Sequence, residues 1–298
     1  MEIVKIDHLK TESRNSKTLN LDMMSTMELL RVMNEEDQKV INTVKDALPE
    51  IEKVIQSVIN ALNNNGRLVY MGAGTSGRLG ILDAVECVPT FSTSDEVIGI
   101  IAGGNKAFVK AVEGAEDSEE LAGEDLDKIS VNDNDVVVAI AASGRTPYAI
   151  GALKYARKFG AKCVSITCNK NSKLAEYADI AIEVDAGPEV VTGSTRLKAG
   201  TCQKIILNMI STASMVGIGK VFGNLMVDMK ATNLKLIERA KRIVVESTKC
   251  DIETATKALE STEYSSKLAI VMILTGATKE EAEKKIKENH GFIRKCIK

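Results

Sequence analysis

Between residues 68 and 184 the chain carries five short runs rich in β-branched and apolar residues, at 68–71, 97–101, 136–141, 163–167 and 180–184. Stretches long enough for a helix separate them, such as 148–159 between the third and fourth. A short apolar run without alternation marks a strand buried on both faces, and a strand–helix–strand rhythm joins parallel strands through crossovers. The pattern predicts a doubly wound α/β domain, an αβα sandwich with a five-stranded parallel sheet.

Helical patterns flank this region. Ser25 followed by Glu28 has the spacing of a capping box, so a helix should begin near Met27. Pro49 suits a first helical turn, and Ile51, Val54, Ile55, Val58, Ile59 and Leu62 fall on one face before Asn63-Asn64-Asn65-Gly66 stops the helix. After Pro188 the pattern is helical to the end, with long segments at about 195–218 and 224–246. Residues 251–298 read as three short helices, 251–260, 265–275 closed by Gly276, and 278–289 opened by a Thr278/Glu281 capping box. So small a helical bundle is marginal alone and should dock on a larger body. The expected organisation is an N-terminal helical segment (1–50), the α/β domain (51–220), a connecting helix (221–250) and a small helical C-terminal domain (251–298).

Composition narrows the partners. Lys plus Arg number 39 against 41 Asp plus Glu, there is no Trp, and aromatic residues make up 3%, which argues against nucleic acid. No apolar stretch approaches the ~18 residues of a membrane span, and residues 1–16 lack the apolar region of a secretion signal, so no membrane association and a cytoplasmic location are expected. The six cysteines never form Cys-x-x-Cys and read as reduced core thiols. With only His8 and His290, neither a transition-metal site nor a Ser-His-Asp triad is expected, and carboxylates must be considered for acid–base work.

Three turns carry hydroxyls. Gly72-Ala73-Gly74-Thr75-Ser76-Gly77-Arg78 follows the first strand and has the form G-x-G-x-x-G, which suits anion binding at a helix terminus. Alone it leaves a dinucleotide enzyme, a phosphate-binding enzyme and a tight turn open. Gly103-Gly104-Asn105 stands where a dinucleotide site wants an acidic residue, no Gly-Lys-Ser/Thr closes a Walker loop, and Thr75 and Ser76 suit a phosphate ester or sugar. The third strand runs into Ala142-Ser143-Gly144-Arg145-Thr146-Pro147, where Arg145 adds a cation and Pro147 opens a helix. The third turn, Thr192-Gly193-Ser194-Thr195, precedes Lys198. Ser and Thr cap helices regardless of ligand, so any one of these turns is equally well explained by capping; three at the carboxyl ends of one sheet's strands are harder to explain so.

Among carboxylates, Glu86 shares a helical stripe with Leu79 and Leu82. Partial desolvation there would suit a general acid at neutral pH, whereas a glutamate near a helix end can equally reach solvent. Glu86 stands ten residues beyond Ser76, ~15 Å along an ideal helix, which favours the second loop for a phosphate. The run from Glu113 to Asp127 reads as a solvated acidic face, although Gly114 and Ala115 before Glu116 would admit a ligand closely.

Five strings make the chain recognisable: Gly-Ala-Gly-Thr-Ser-Gly-Arg-Leu-Gly-Ile-Leu-Asp-Ala (72–84), Ala-Val-Glu-Gly-Ala-Glu-Asp (111–117), Ala-Ala-Ser-Gly-Arg-Thr-Pro-Tyr (141–148), Val-Val-Thr-Gly-Ser-Thr-Arg-Leu-Lys-Ala-Gly-Thr (190–201) and Gly-Lys-Val-Phe-Gly-Asn-Leu-Met-Val-Asp (219–228). With them the chain resembles the N-acetylmuramic acid 6-phosphate etherase family over nearly its whole length. The resemblance implies a sugar isomerase (SIS) domain with a small, UBA-like helical C-terminal domain, a homodimer, and no cofactor. It implies cleavage of the lactyl ether of N-acetylmuramate 6-phosphate to N-acetylglucosamine 6-phosphate and D-lactate, in peptidoglycan recycling, by elimination of lactate and re-addition of water. Glu86 matches the acid that protonates the departing lactate oxygen, and Glu116 the second catalytic glutamate, most simply the base. Ser143, Gly144, Arg145 and Thr146 match the phosphate loop, while Thr75, Ser76, Ser194, Thr195 and Lys198 would contact sugar or phosphate. Two other functions fit the same loops: a non-catalytic sugar-phosphate sensor like the related glucokinase regulatory protein, and an aldose–ketose phosphosugar isomerase.

Overall fold

The computed structural model describes residues 9–110 and 112–298, which form two compact units. One runs to Ala84 and resumes over Glu96–Ile210; the other combines Val85–Asp95 with Ser211–Lys298.

In the first unit, three 3-10 turns between Lys10 and Met23, which no periodicity announces, lead into α1 (Thr26–Asp46). The capping box is made: Ser25 Oγ accepts from Glu28 N at 3.4 Å and Glu28 Oε2 accepts from Ser25 N at 2.8 Å. Helix α2 (Leu48–Asn63) buries Ile51, Val54, Val58 and Ala61, the stripe expected from its spacing. There follow β1 (Leu68–Gly72), α3 (Gly74–Phe91), β2 (Val97–Ile101), α4 (Asn105–Val109), α5 (Glu119–Lys128), β3 (Val136–Ala141), α6 (Pro147–Lys158), β4 (Lys162–Thr167) and β5 (Ile180–Glu183). The five strands form one parallel sheet in the order β2-β1-β3-β4-β5. Every residue of β1 and β3 is buried, which is why these central strands read as continuous apolar runs.

On one face Val69, Met71, Val137, Ala139 and Ala141 pack with Ala122 and Leu126 of α5 and Tyr148, Ala149, Ala152 and Leu153 of α6. On the other, Gly80 of α3 sits so near Tyr70 that a Cβ there would lie 2.9 Å from the tyrosine Cβ. The acidic run is not wholly solvated. Asp125 shares the inward face of α5 with Ala122 and Leu126, accepts from Tyr148 Oη at 2.7 Å, and is paired with Lys128. Burial, then this hydrogen bond, pushes the Tyr148 hydroxyl pKa well up, keeping it a donor.

Helix α7 (Lys198–Gly217) continues to the second unit, where the expected helix from 224 begins late. Residues 221–226 instead form a hairpin, β6 (Val221–Phe222) and β7 (Leu225–Met226), with Val221 opposite Met226 and Phe222 opposite Leu225. Gly223, at φ 61°, and Asn224 make its two-residue turn, so the apolar pairs face each other instead of following a helical stripe. Helix α8 (Leu234–Thr248) starts only at its Asn233 cap. Then come α9 (Ile252–Ser261), α10 (Ser266–Thr275), α11 (Lys279–Glu288) and a final turn, α12 (Ile293–Cys296). Residues 221–250 share one core with 251–298: Val227, Met229, Ala240 and Val244 pack with Ala255, Leu259, Ile270, Ala282 and Ile293. That shared core supplies the apolar surface a three-helix bundle of this size lacks. Asp228 adds a tie, accepting from Lys267 Nζ of α10 at 2.6 Å.

Among the described residues no helix is long and apolar enough to cross a membrane. Cys87, Cys163, Cys168, Cys202 and Cys296 are buried and Cys250 is half-buried, all outside any disulfide.

Candidate active site

The chain leaves β1 toward β2 on one side and leaves β3 toward β4 on the other, although β1 and β3 are neighbours. Crossovers that diverge at adjacent parallel strands open a crevice at their carboxyl ends, the usual ligand position in such sheets. The first two hydroxyl-bearing loops begin at these two strand ends.

On the β1 side, Gly77 lets the first turn of α3 rest on the sheet. A Cβ there would lie 2.5 Å from Gly72 O and 2.7 Å from Ile101 Cγ1, so no side chain fits. The turn holds Thr75 half-buried and Ser76 buried, with Ser76 Oγ donating to Gln203 Oε1 of α7 at 3.0 Å.

On the β3 side, Gly144 adopts φ 69°, and a Cβ there would lie 2.4 Å from Ser172 Cβ. The turn is closed by Gly144 N donating to Ala141 O at 3.0 Å and tied to its neighbour by Leu174 N donating to Gly144 O at 2.9 Å. Ser143 Oγ accepts from Arg145 N at 3.3 Å, a local turn bond. Thr146 occupies the N-cap position of α6 without a side-chain capping bond, so capping does not explain its hydroxyl. Ser143 and Arg145 also line a cavity of about 430 Å³ with Lys10, Asn169, Lys173 and Asp185.

The third turn departs from expectation. Gly193 has φ 75°, and Ser194 and Thr195 are half-buried, whereas Lys198 is buried. Its Nζ donates to Glu36 Oε2 at 2.6 Å, with both side chains almost wholly buried, so Lys198 is a structural partner of α1. Burial raises the Glu36 pKa, but hydrogen bonds from Lys198 and Lys39 outweigh it and hold the carboxyl at about 2. Glu189 completes the anchor: its two carboxylate oxygens accept from Lys198 N at 3.0 Å and Ala199 N at 2.9 Å, satisfying the opening donors of α7. Burial, partly offset by these bonds, pushes the Glu189 pKa up. Sequence inspection missed Glu36; the available signal is its place four and eight residues before Val40 and Val44, all three on the inward stripe of α1.

Glu86 lies on α3 in the second unit and is exposed, the solvent-facing one of the two readings its position allows. The buried face of α3 runs instead through Ser76, Gly77, Gly80, Asp83, Ala84 and Cys87; the small residues face inward because the helix sits so close to the sheet, which turns Leu79 and Leu82 outward. Glu116 lies in the first unit on a 3-10 turn, Ala115–Asp117, entered through Gly114 at φ 75°, and is also exposed.

Comparison with known proteins extends these observations. Residues 50–157 match the glucokinase regulatory protein N-terminal SIS domain, and residues 111–213 match the SIS domain. The chain is 58% identical to the N-acetylmuramic acid 6-phosphate etherase of Bacillus cereus (strain ATCC 10987 / NRS 248) over 98% of this chain and 100% of that protein. The same identity and coverages hold for the protein of that name from Bacillus mycoides (strain KBAB4). Among solved structures, a phosphoheptose isomerase from Francisella tularensis superposes with a TM-score of 0.51 at 17% identity, covering 65% of this chain and 98% of that one. That from Neisseria gonorrhoeae gives 0.51 at 15% identity, covering 63% and 98%; both likenesses concern the fold.

The buried pair predicts a stability signature. Lys198→Met strands the Glu36 carboxylate and should destabilise the chain by about 3–5 kcal/mol in urea unfolding, while Glu36→Leu combined with Lys198→Met restores most of it. Because Glu36 is held below its ordinary value of 4.5, its contribution is complete above that value and is lost as pH falls from there through about 2. A shift of this size corresponds to about 3 kcal/mol. Unfolding free energies between pH 5 and pH 2 should therefore fall more steeply in wild type than in the double variant.

Proposed function

From the premise that this chain belongs to the N-acetylmuramic acid 6-phosphate etherase family, we propose that it cleaves the D-lactyl ether of N-acetylmuramic acid 6-phosphate, releasing N-acetylglucosamine 6-phosphate and D-lactate, in the cytoplasm and within peptidoglycan recycling. The observation that carries this is the 58% identity over 98% of the chain to proteins of that name. The two hydroxyl-bearing loops at the β1/β3 crevice support it.

The phosphate sits on the Ser143–Thr146 loop, with Arg145 as its cation and Thr146 free of capping duty. Ser76 approaches from the neighbouring strand, and Thr75, Ser194 and Thr195 face the sugar. Anchoring the phosphate orients the distant reacting carbons. With the sugar ring open, the C1 aldehyde acidifies the C2 proton. Glu116 takes that proton, the electron pair forms the C2–C3 double bond, and the C3–O bond breaks as Glu86 gives its proton to the lactate oxygen. Water then adds at C3 while C2 regains a proton. Two glutamates in different surroundings can serve as acid and base at one pH.

The active form is a homodimer. Leu82, Val85 and Val88 of α3 are 45%, 57% and 36% exposed, an apolar strip beside Glu86 in the helix. Covering this strip with a second copy removes water from the acid's surroundings.

Glu86→Gln and Glu116→Gln should each lower D-lactate release by roughly 10²- to 10⁴-fold while sugar-phosphate binding persists; an unchanged rate in either removes that residue from the mechanism. Turnover in ¹⁸O-water should place the label at C3 of the sugar product. Binding without lactate release would instead favour a sugar-phosphate sensor, the reading that the match to the glucokinase regulatory domain supports. For the dimer, Val85→Asp should halve the mass in light scattering and lower turnover, and an unchanged mass would refute that interface.

A further inference from the structure

Ser76 and Gln203 are both buried, and one bond joins them: Ser76 Oγ donates to Gln203 Oε1 at 3.0 Å. The other half of the amide, Gln203 Nε2, is buried without a hydrogen-bond partner. A serine hydroxyl has one proton and two acceptor positions. With its proton committed to Gln203, Ser76 presents only lone pairs to the crevice, and an oxyanion, which is itself only an acceptor, gains nothing from it.

We infer that Gln203 is a positioning residue that sets the direction of this hydrogen bond and so decides whether Ser76 can donate to an oxyanion of the substrate. The inference rests on the proposed role of the Thr75–Ser76 turn in sugar-phosphate binding. A half-turn of the terminal amide brings Nε2 to donate to Ser76 Oγ and places Oε1 where the orphan nitrogen stood. The serine proton is then released toward the crevice. Buried carbonyl oxygens tolerate incomplete bonding better than buried N–H groups do, so this exchange relieves the orphan donor. An arriving oxyanion adds a charge-assisted bond from the freed hydroxyl. The amide is held for this purpose on a fixed helix: five residues before Gln203, Lys198 is locked by Glu36 through its side chain and by Glu189 through its backbone. No motion of the backbone is needed, only rotation about one side-chain torsion.

The test uses the full chain, inorganic phosphate as probe, and steady-state turnover of N-acetylmuramic acid 6-phosphate. In Gln203→Glu the carboxylate can only accept, so the serine proton stays inward. Phosphate affinity should fall roughly 10- to 100-fold, with KM rising more than kcat falls. Gln203→Met offers only a weak thioether acceptor for that proton and should lose less than Gln203→Glu. Equal or larger losses in Gln203→Met, or wild-type affinity in Gln203→Glu, overturn the inference. A second readout needs no folded glutamate variant: the Gln203 side-chain amide signal in a ¹H–¹⁵N spectrum, assigned by its absence in Gln203→Met, should shift when phosphate is added to wild type and stay fixed in Ser76→Ala. An unmoved signal in wild type also overturns it. Ser76→Ala separates the two levels. Wild-type phosphate affinity there refutes the role of the turn itself, whereas weakened binding there with unaffected Gln203→Glu refutes only the part assigned to Gln203.

Discussion

The contact on which the first unit's site depends is the seating of α3 against β1 and β2 at a distance that admits no side chain. Gly77 meets the Gly72 carbonyl and Ile101, and Gly80 meets Tyr70. Because the helix begins within two residues of the strand's end, its opening N–H groups lie at the carboxyl edge of the sheet, where an anion is favoured. The same closeness dictates which residues face inward. Only small ones fit, so Ser76 is pressed against α7 and the leucines are turned outward. The glycines therefore set the hydroxyl's surroundings as much as they form the turn.

A second constraint is electrostatic. Taking Glu36 and Lys198 out of water costs more than a surface pair would, and the pair persists because Lys39 also bonds the carboxylate and Glu189 satisfies the backbone at the same helix end. Such a cluster adds little net stability against an apolar replacement. What it does is fix the start of α7 and, through it, the Gly193–Thr195 turn and the position of Gln203. Stability is exchanged here for geometry at the end of the helix that meets the first loop.

The strands were legible because burial on both faces leaves only apolar residues to read, and the five predicted runs agree with the sheet to within one residue at each end. Caps were legible for a related reason: Ser25/Glu28 and Thr278/Glu281 each satisfy donors locally, without tertiary help. The failures share a tertiary origin. Val221-Phe222 and Leu225-Met226 carry an apolar pattern that a helix would also accept, and only the Gly223-Asn224 turn decides for a hairpin. Leu79 and Leu82 mark a helical stripe through Glu86, and the solvent-facing one of its two readings holds because the glycine seat of α3 turns that stripe away from the sheet. Glu36 was not legible because its partner Lys198 stands 162 residues away in sequence, beyond the reach of any local pattern.

The exposure of Glu86 and Glu116 in the single chain bears on how the proposed pair of glutamates could work as acid and base. A general acid that works at neutral pH is helped by surroundings that exclude water. Two sources remain on the proposed mechanism: the substrate, which displaces water as it fills the site, and a second copy laid over Leu82, Val85 and Val88. Both act only once the complex is assembled. On that mechanism the acid is made competent by assembly and binding. On the proposed mechanism such an arrangement would supply acid catalysis without storing an uncompensated buried charge in the free chain.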